Sequence, residues 1–107
     1  MNLGFFPSGD TEKDLIQKLE QFAHEIEHKF QEDMGYDIEP TFLKRILRTL
    51  KKLSKVTKSH ATKGKISKIE IRITAAIRYY LDNKYEEYFE RVKVIADQLK
   101  DLNEYMA

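Results

Sequence analysis

In every long segment after residue 10, large apolar residues recur three and four positions apart, a spacing that puts them on one face of an α-helix. Leu15, Leu19, Phe22, Ala23, Ile26 and Phe30 form the first such stripe, and Phe42, Leu43, Ile46, Leu47, Leu50, Leu53 and Val56 the second. Ile66, Ile69, Ile73, Ala76, Ile77, Tyr80 and Leu81 form the third. The fourth, Tyr85, Tyr88, Val92, Ile95, Leu99, Leu102 and Met106, keeps the 3-4-3-4 order of three heptads, which favours packing along a nearly parallel or antiparallel neighbour. A helix that is apolar along one face must bury that face against another element. Four of them joined by short connections predict an all-α fold: a small antiparallel four-helix bundle forming one domain over residues 1–107.

The expected helices cover residues 11–34, 40–58, 67–82 and 84–104. Asp10 or Thr11 can cap the first, with Glu12 and Asp14 in its first turn, where carboxylates are favoured. Gly35 is the natural residue just past its end. Pro40 suits the first turn of the second helix, where its missing N–H does no harm. Ser67 and Glu70 make an S-x-x-E capping box for the third, and Asn83 with Glu86 resembles one for the fourth. Residues 68–74, KIEIRIT, alternate apolar and polar and are β-branched, so they also fit a strand. The TAAIRYYL that follows continues a helical stripe, and no second strand is available to pair, so helix is preferred. Leu3, Phe5, Phe6 and Pro7 make a short apolar N-terminal arm, expected to fold back on the core ahead of a turn at residues 7–10.

Charge is distributed in blocks. The formal net charge is +1, yet residues 1–39 carry −7, residues 40–81 carry +11 and residues 82–107 carry −3. Within residues 42–68 there are ten cations and no acid. Lys44, Arg45, Arg48, Lys51, Lys52 and Lys55 fall opposite the apolar stripe of the second helix, with no acid on that helix for the usual i,i+4 pairing. Residues 57–65, TKSHATKGK, read as a polar loop presenting Lys58, Lys63 and Lys65, whose N–H groups and hydroxyls can reach phosphate oxygens. The loop lacks the glycine spacing and preceding strand of a Walker loop. Lys68, Arg72 and Arg78 extend the positive area, and Tyr79 could stack on a base. Tyr79 and Ile71, both off the core stripe, could instead pack on another chain.

These twelve residues, Lys44, Arg45, Arg48, Lys51, Lys52, Lys55, Lys58, Lys63, Lys65, Lys68, Arg72 and Arg78, are the candidate nucleic-acid-binding set. The expected partner is DNA or RNA bound with weak sequence preference, and the size suits a small subunit of a larger nucleoprotein complex. Two alternatives use the same charges. In one, acidic helices 1 and 4 balance them within the molecule. In the other, an adaptor, regulatory or immunity-type protein holds an acidic or phosphorylated protein partner. The heptads of the fourth helix could also form a homodimer seam.

Chemistry is sparse. Residues 24–28 spell H-E-x-x-H, the zinc-protease pattern, but the phase of the helix centres the apolar stripe near Ile26 and turns His24 and His28 to the opposite side. No nucleophile–base pair or carboxylate pair on an apolar face is recognisable, so no catalytic residue, metal ligand or cofactor is expected. With no Cys, disulfides and thiolate chemistry are excluded. No apolar run reaches the roughly 20 residues of a membrane-spanning helix, and residues 1–10 do not read as a secretory signal, so the expected compartment is cytoplasmic.

Overall fold

The computed structural model describes residues 11–107, and the arm expected from Leu3, Phe5, Phe6 and Pro7 lies outside them. Four helices follow one another: α1 (Glu12–Gln31), α2 (Pro40–Val56), α3 (His60–Leu81) and α4 (Tyr85–Met106), with a 3₁₀ turn at Gly35–Asp37 between the first two. Short connections reverse the chain each time. α1 packs on α2 and α4, and α3 packs on α2 and α4, so α2 and α4 occupy opposite corners of an up-and-down bundle. No strand is present among the described residues, and KIEIRIT lies inside α3. No helix among them is long and apolar enough to cross a membrane.

The core is the four expected stripes brought together. Leu15, Leu19, Ala23 and Ile26 meet Leu43, Ile46, Leu50 and Leu53 on one side. Ile66, Ile69, Ile73 and Ala76 meet Tyr88, Val92, Ile95, Leu99 and Leu102 on the other. The heptad seam of α4 is therefore filled from within the chain. Three expected core residues are exposed, Val56 at 43%, Leu81 at 73% and Tyr85 at 46%, while others such as Phe22, Leu47 and Met106 are half-buried. The exposed three sit at helix ends, where a stripe outruns the helices it packs against. Around the α1–α2 and α3–α4 connections the packing is aromatic. Tyr36, Phe30, Phe89, Tyr88, Tyr80 and Tyr85 form a chain of edge-to-face contacts with ring centroids 4.8 to 6.5 Å apart, the arrangement ring quadrupoles favour. Farther along α4, the Lys100 ammonium donates to the Glu27 carboxylate of α1 at 2.6 Å, and this hydrogen bond holds Lys100 above its usual pKa.

The helix ends differ from expectation in instructive ways. Thr11 caps α1 in a true capping box, accepting from the Asp14 N–H while the Asp14 carboxylate accepts from the Thr11 N–H. The helix then stops at Gln31 rather than 34, and Gly35 is not its left-handed residue. That role falls to Asp33, at φ 58°. The Asp33 N–H donates to the Phe30 carbonyl and the Met34 N–H to the Lys29 carbonyl, the two bonds of a Schellman motif. Gly35 serves another purpose: a Cβ there would overlap the ring of Phe30. α3 ends the same way on Asn83, at φ 62°. Asn83 is thus not the cap of α4, as its spacing to Glu86 suggested. Its side-chain oxygen accepts from the Tyr85 hydroxyl at 2.8 Å instead, and Lys84 holds the cap position without a side-chain bond.

The largest correction is the start of α3. The capping box expected at Ser67 does not form, and the helix begins seven residues earlier at His60. Ser59 is the cap, its hydroxyl accepting from the Thr62 N–H at 3.1 Å. Thr62 is buried four positions before Ile66, so the core stripe extends back into the polar stretch. A Cβ at Gly64 would meet open space, so packing does not require glycine there.

Candidate functional site

Burial fixes the orientation of α2. With Leu43, Ile46, Leu50 and Leu53 turned inward, all six of its cations are exposed, and no acid lies on the helix. Arg45, Arg48 and Lys52 also line a groove of about 370 Å³ against α1, with Lys18, Gln21 and Glu25 opposite. In its floor the Thr49 hydroxyl donates back to the Arg45 carbonyl at 3.1 Å. The Arg45 guanidinium stands over the rings of Phe22 and Phe42, 5.5 and 6.0 Å from their centroids, which pre-positions it by cation–π attraction. Lys51 leans the other way, into the groove between α2 and α3.

Ion pairs among the described residues include those of His24 with Glu20 and Glu27, of Lys93 with Glu90, and of Lys100 with Glu27. None reaches Lys44, Arg45, Arg48, Lys51 or Lys55. Glu27 faces α4, which lies across the bundle from α2, whereas Glu25 of α1 lines the groove beside Arg45, Arg48 and Lys52.

The remaining expected site residues do not all join this face. Only residues 57–59 connect α2 to α3, so the phosphate-binding loop expected over residues 57–65 is mostly helix. Lys58 is exposed in the connection. Thr57 is buried, its hydroxyl accepting from the Ser59 N–H. Lys63 is half-buried on the first turn of α3, in the row that continues through Ser67, Glu70, Thr74 and Arg78 and borders α2. Lys65, Lys68 and Arg72 turn instead toward α4. The Lys65 ammonium stands 4.6 Å above the Tyr105 ring, Lys65 and Lys68 approach Gln98 and Asp101, and Arg72 approaches Arg91. Tyr79, expected to be available for stacking, is half-buried with the Arg91 guanidinium 5.8 Å from its ring centroid. The candidate set therefore divides into a continuous α2 face, flanked by Lys58, Lys63 and Arg78, and a separate group on the far side of α3.

His24 and His28 are exposed on the outer face of α1, as helical phase required, and His24 lies 3.9 Å from both Glu20 and Glu27. No grouping of three or more potential metal ligands occurs among the described residues. Ile71, which the sequence marked as able to pack on another chain, lies beside Leu47 and Ala75, and the three form an apolar strip on the outside of the bundle that the sequence did not reveal. No family model matches the chain, and no curated protein or solved structure matches it either.

Proposed function

We propose that the protein is a non-catalytic nucleic-acid-binding module that grips phosphates with the outer face of α2. The carrying observation is the arrangement of that helix: six exposed cations with no acid on the helix itself. Like charges on successive turns repel and work against the helix. A polyanion converts the repulsion into attraction and releases its own counterions. Lys44 to Lys55 spans about 16 Å along the axis at 1.5 Å per residue. One strand of a duplex presents about five phosphates over that length, at 3.4 Å each. Arg45 and Arg48 add planar forks suited to phosphate oxygens. The exposed side chains of the face are cations suited to phosphates and carry no groove-reading signature, which favours binding with weak sequence preference, to DNA or RNA.

Anisotropy titrations of labelled single-stranded RNA, single-stranded DNA and duplex DNA over a salt series test this. If about four to six phosphates are neutralised, log affinity falls against log salt with a slope of about −3 to −5. The combined Lys44→Glu, Arg48→Glu, Lys51→Glu and Lys55→Glu variant should keep its helical circular dichroism and lose binding. Absence of binding to all three polymers at low salt would sink the proposal and favour an acidic protein as the partner of this face.

A further inference from the structure

α3 is apolar on two sides. Ile66, Ile69, Ile73 and Ala76 account for its place in the core, yet Ile71 is 68% exposed and Ala75 is also exposed. A bundle helix ordinarily carries polar residues on its outer face. Here Ile71, Ala75 and the half-buried Leu47 of α2 line a groove of about 590 Å³ between the two helices. Ile71 and Ala75 also line the adjoining hollow of about 320 Å³ on the other side of α3. The two hollows thus share an apolar strip running along α3. Cations border it on both sides: Lys51 and Arg78 toward α2, Lys68 and Arg72 toward α4. Glu70 is the one carboxylate in either lining, and it is half-buried.

We infer that this strip is a docking site for an acidic amphipathic helix of a partner protein, adjoining the phosphate-binding face of α2 and sharing Lys51 and Arg78 with it. A valley between two antiparallel helices seats a third helix through its i, i+3, i+4 and i+7 side chains. Small side chains at Ala75 and Thr74 permit close approach. The cationic margins select acids flanking the partner's apolar face, which steers association and fixes its register. An aliphatic floor offers a nucleic acid neither stacking nor phosphate contacts. A second copy of this chain is a poor occupant, because its acidic helices have no spare apolar face. Among the described residues the other large exposed apolar side chains, Met34, Tyr36, Val56, Leu81, Tyr85 and Tyr105, lie in connections or near helix ends.

The test uses a labelled 20-residue helical peptide with Leu at i, i+3, i+4 and i+7 repeats and Glu on its other faces. Its control is a peptide of the same composition with the Leu positions scattered. Binding is followed by anisotropy and mapped by amide chemical shifts. The amphipathic peptide should bind and shift Leu47, Thr74 and Ala75. The scattered control should bind at least about tenfold more weakly, and Ile71→Glu should weaken the amphipathic peptide by at least about tenfold. The Lys44→Glu, Arg48→Glu, Lys55→Glu variant, directed at the nucleic-acid face, should bind the peptide within about threefold of the unaltered protein, which separates the two proposals. Equal binding of both peptides, no effect of Ile71→Glu, or no binding at all would overturn the inference. So would a dimer in sedimentation that Ile71→Glu dissociates, since the strip would then belong to a second copy.

Discussion

The hydroxyl of Tyr88 donates a hydrogen bond to the backbone carbonyl of Ile38 at 2.9 Å, joining α4 to the α1–α2 connection across fifty residues of sequence. Both residues are buried, Tyr88 completely. The bond satisfies a carbonyl that water cannot reach and fixes the entry of the chain into α2. Tyr88→Phe keeps the ring and strands that carbonyl, so it should cost about 1–3 kcal/mol in urea unfolding at pH 7. Burial, then the neighbouring Tyr80 and Glu39, push the Tyr88 hydroxyl well above its ordinary pKa. The unfolded chain releases this proton near pH 10 while the folded chain keeps it. The stabilisation is therefore complete below about pH 10 and is lost as pH climbs toward the raised folded value. Tyr88→Phe lacks that titration, so its deficit against the unaltered protein should shrink between pH 8 and 11. A constant deficit across that range would contradict the assignment.

The end of α1 predicts opposite signs for two neighbouring glycine changes. Gly35→Ala places a methyl group in the ring of Phe30 and should destabilise by about 1–3 kcal/mol through overpacking. Asp33→Gly relieves a left-handed backbone and should stabilise by about 0.5–1 kcal/mol. Thermal melts of the two single variants should move in opposite directions.

Depth along the α4 seam sets the sensitivity of its residues. Leu99 is fully buried and Tyr85 is 46% exposed. Leu99→Ala should cost about 2–5 kcal/mol. Tyr85→Ala should cost about 1 kcal/mol, the toll of an edge contact with Tyr80 and an exposed hydrogen bond. Similar losses at both positions in denaturant titrations would mean that the seam continues into Tyr85.

Two serines discriminate the observed start of α3 from the one its motif suggested. Ser59→Ala removes the cap and should cost about 1 kcal/mol. Ser67→Ala falls inside the helix on an exposed turn and should be neutral or slightly stabilising. The reverse ranking in urea unfolding would restore the later start.

These residues also show what the sequence could disclose. Periodicity located four helices and most of the core, because burial follows a 3.6-residue repeat that any reader can trace from Leu15 to Leu102. Ends were harder. Ser59 and Ser67 are both chemically able caps, and the choice fell to the earlier one because Thr62 found a place in the core. Asp33, Gly35, Asn83 and the residues around them all suit turns, so composition alone could not say which would be left-handed. The α2 face was legible because its cations lie opposite a long apolar stripe. The division of the α3 cations was not, since which side of a helix meets which neighbour is decided by the packing of all four. The Leu47, Ile71 and Ala75 strip needed two helices side by side to become visible.

The position of α4 between α1 and α3 has a consequence during synthesis. As α1 and α2 leave the ribosome, Leu15, Leu19, Leu50 and Leu53 cover one another on one side only, since the two helices that close the core are translated after them. At about 5–20 residues per second, the stretch from Val56 to Met106 takes roughly 3–10 s to appear. Throughout that interval the nascent chain is an open hydrophobic half-bundle, a natural client for chaperones that hold exposed apolar surface until the last helix arrives.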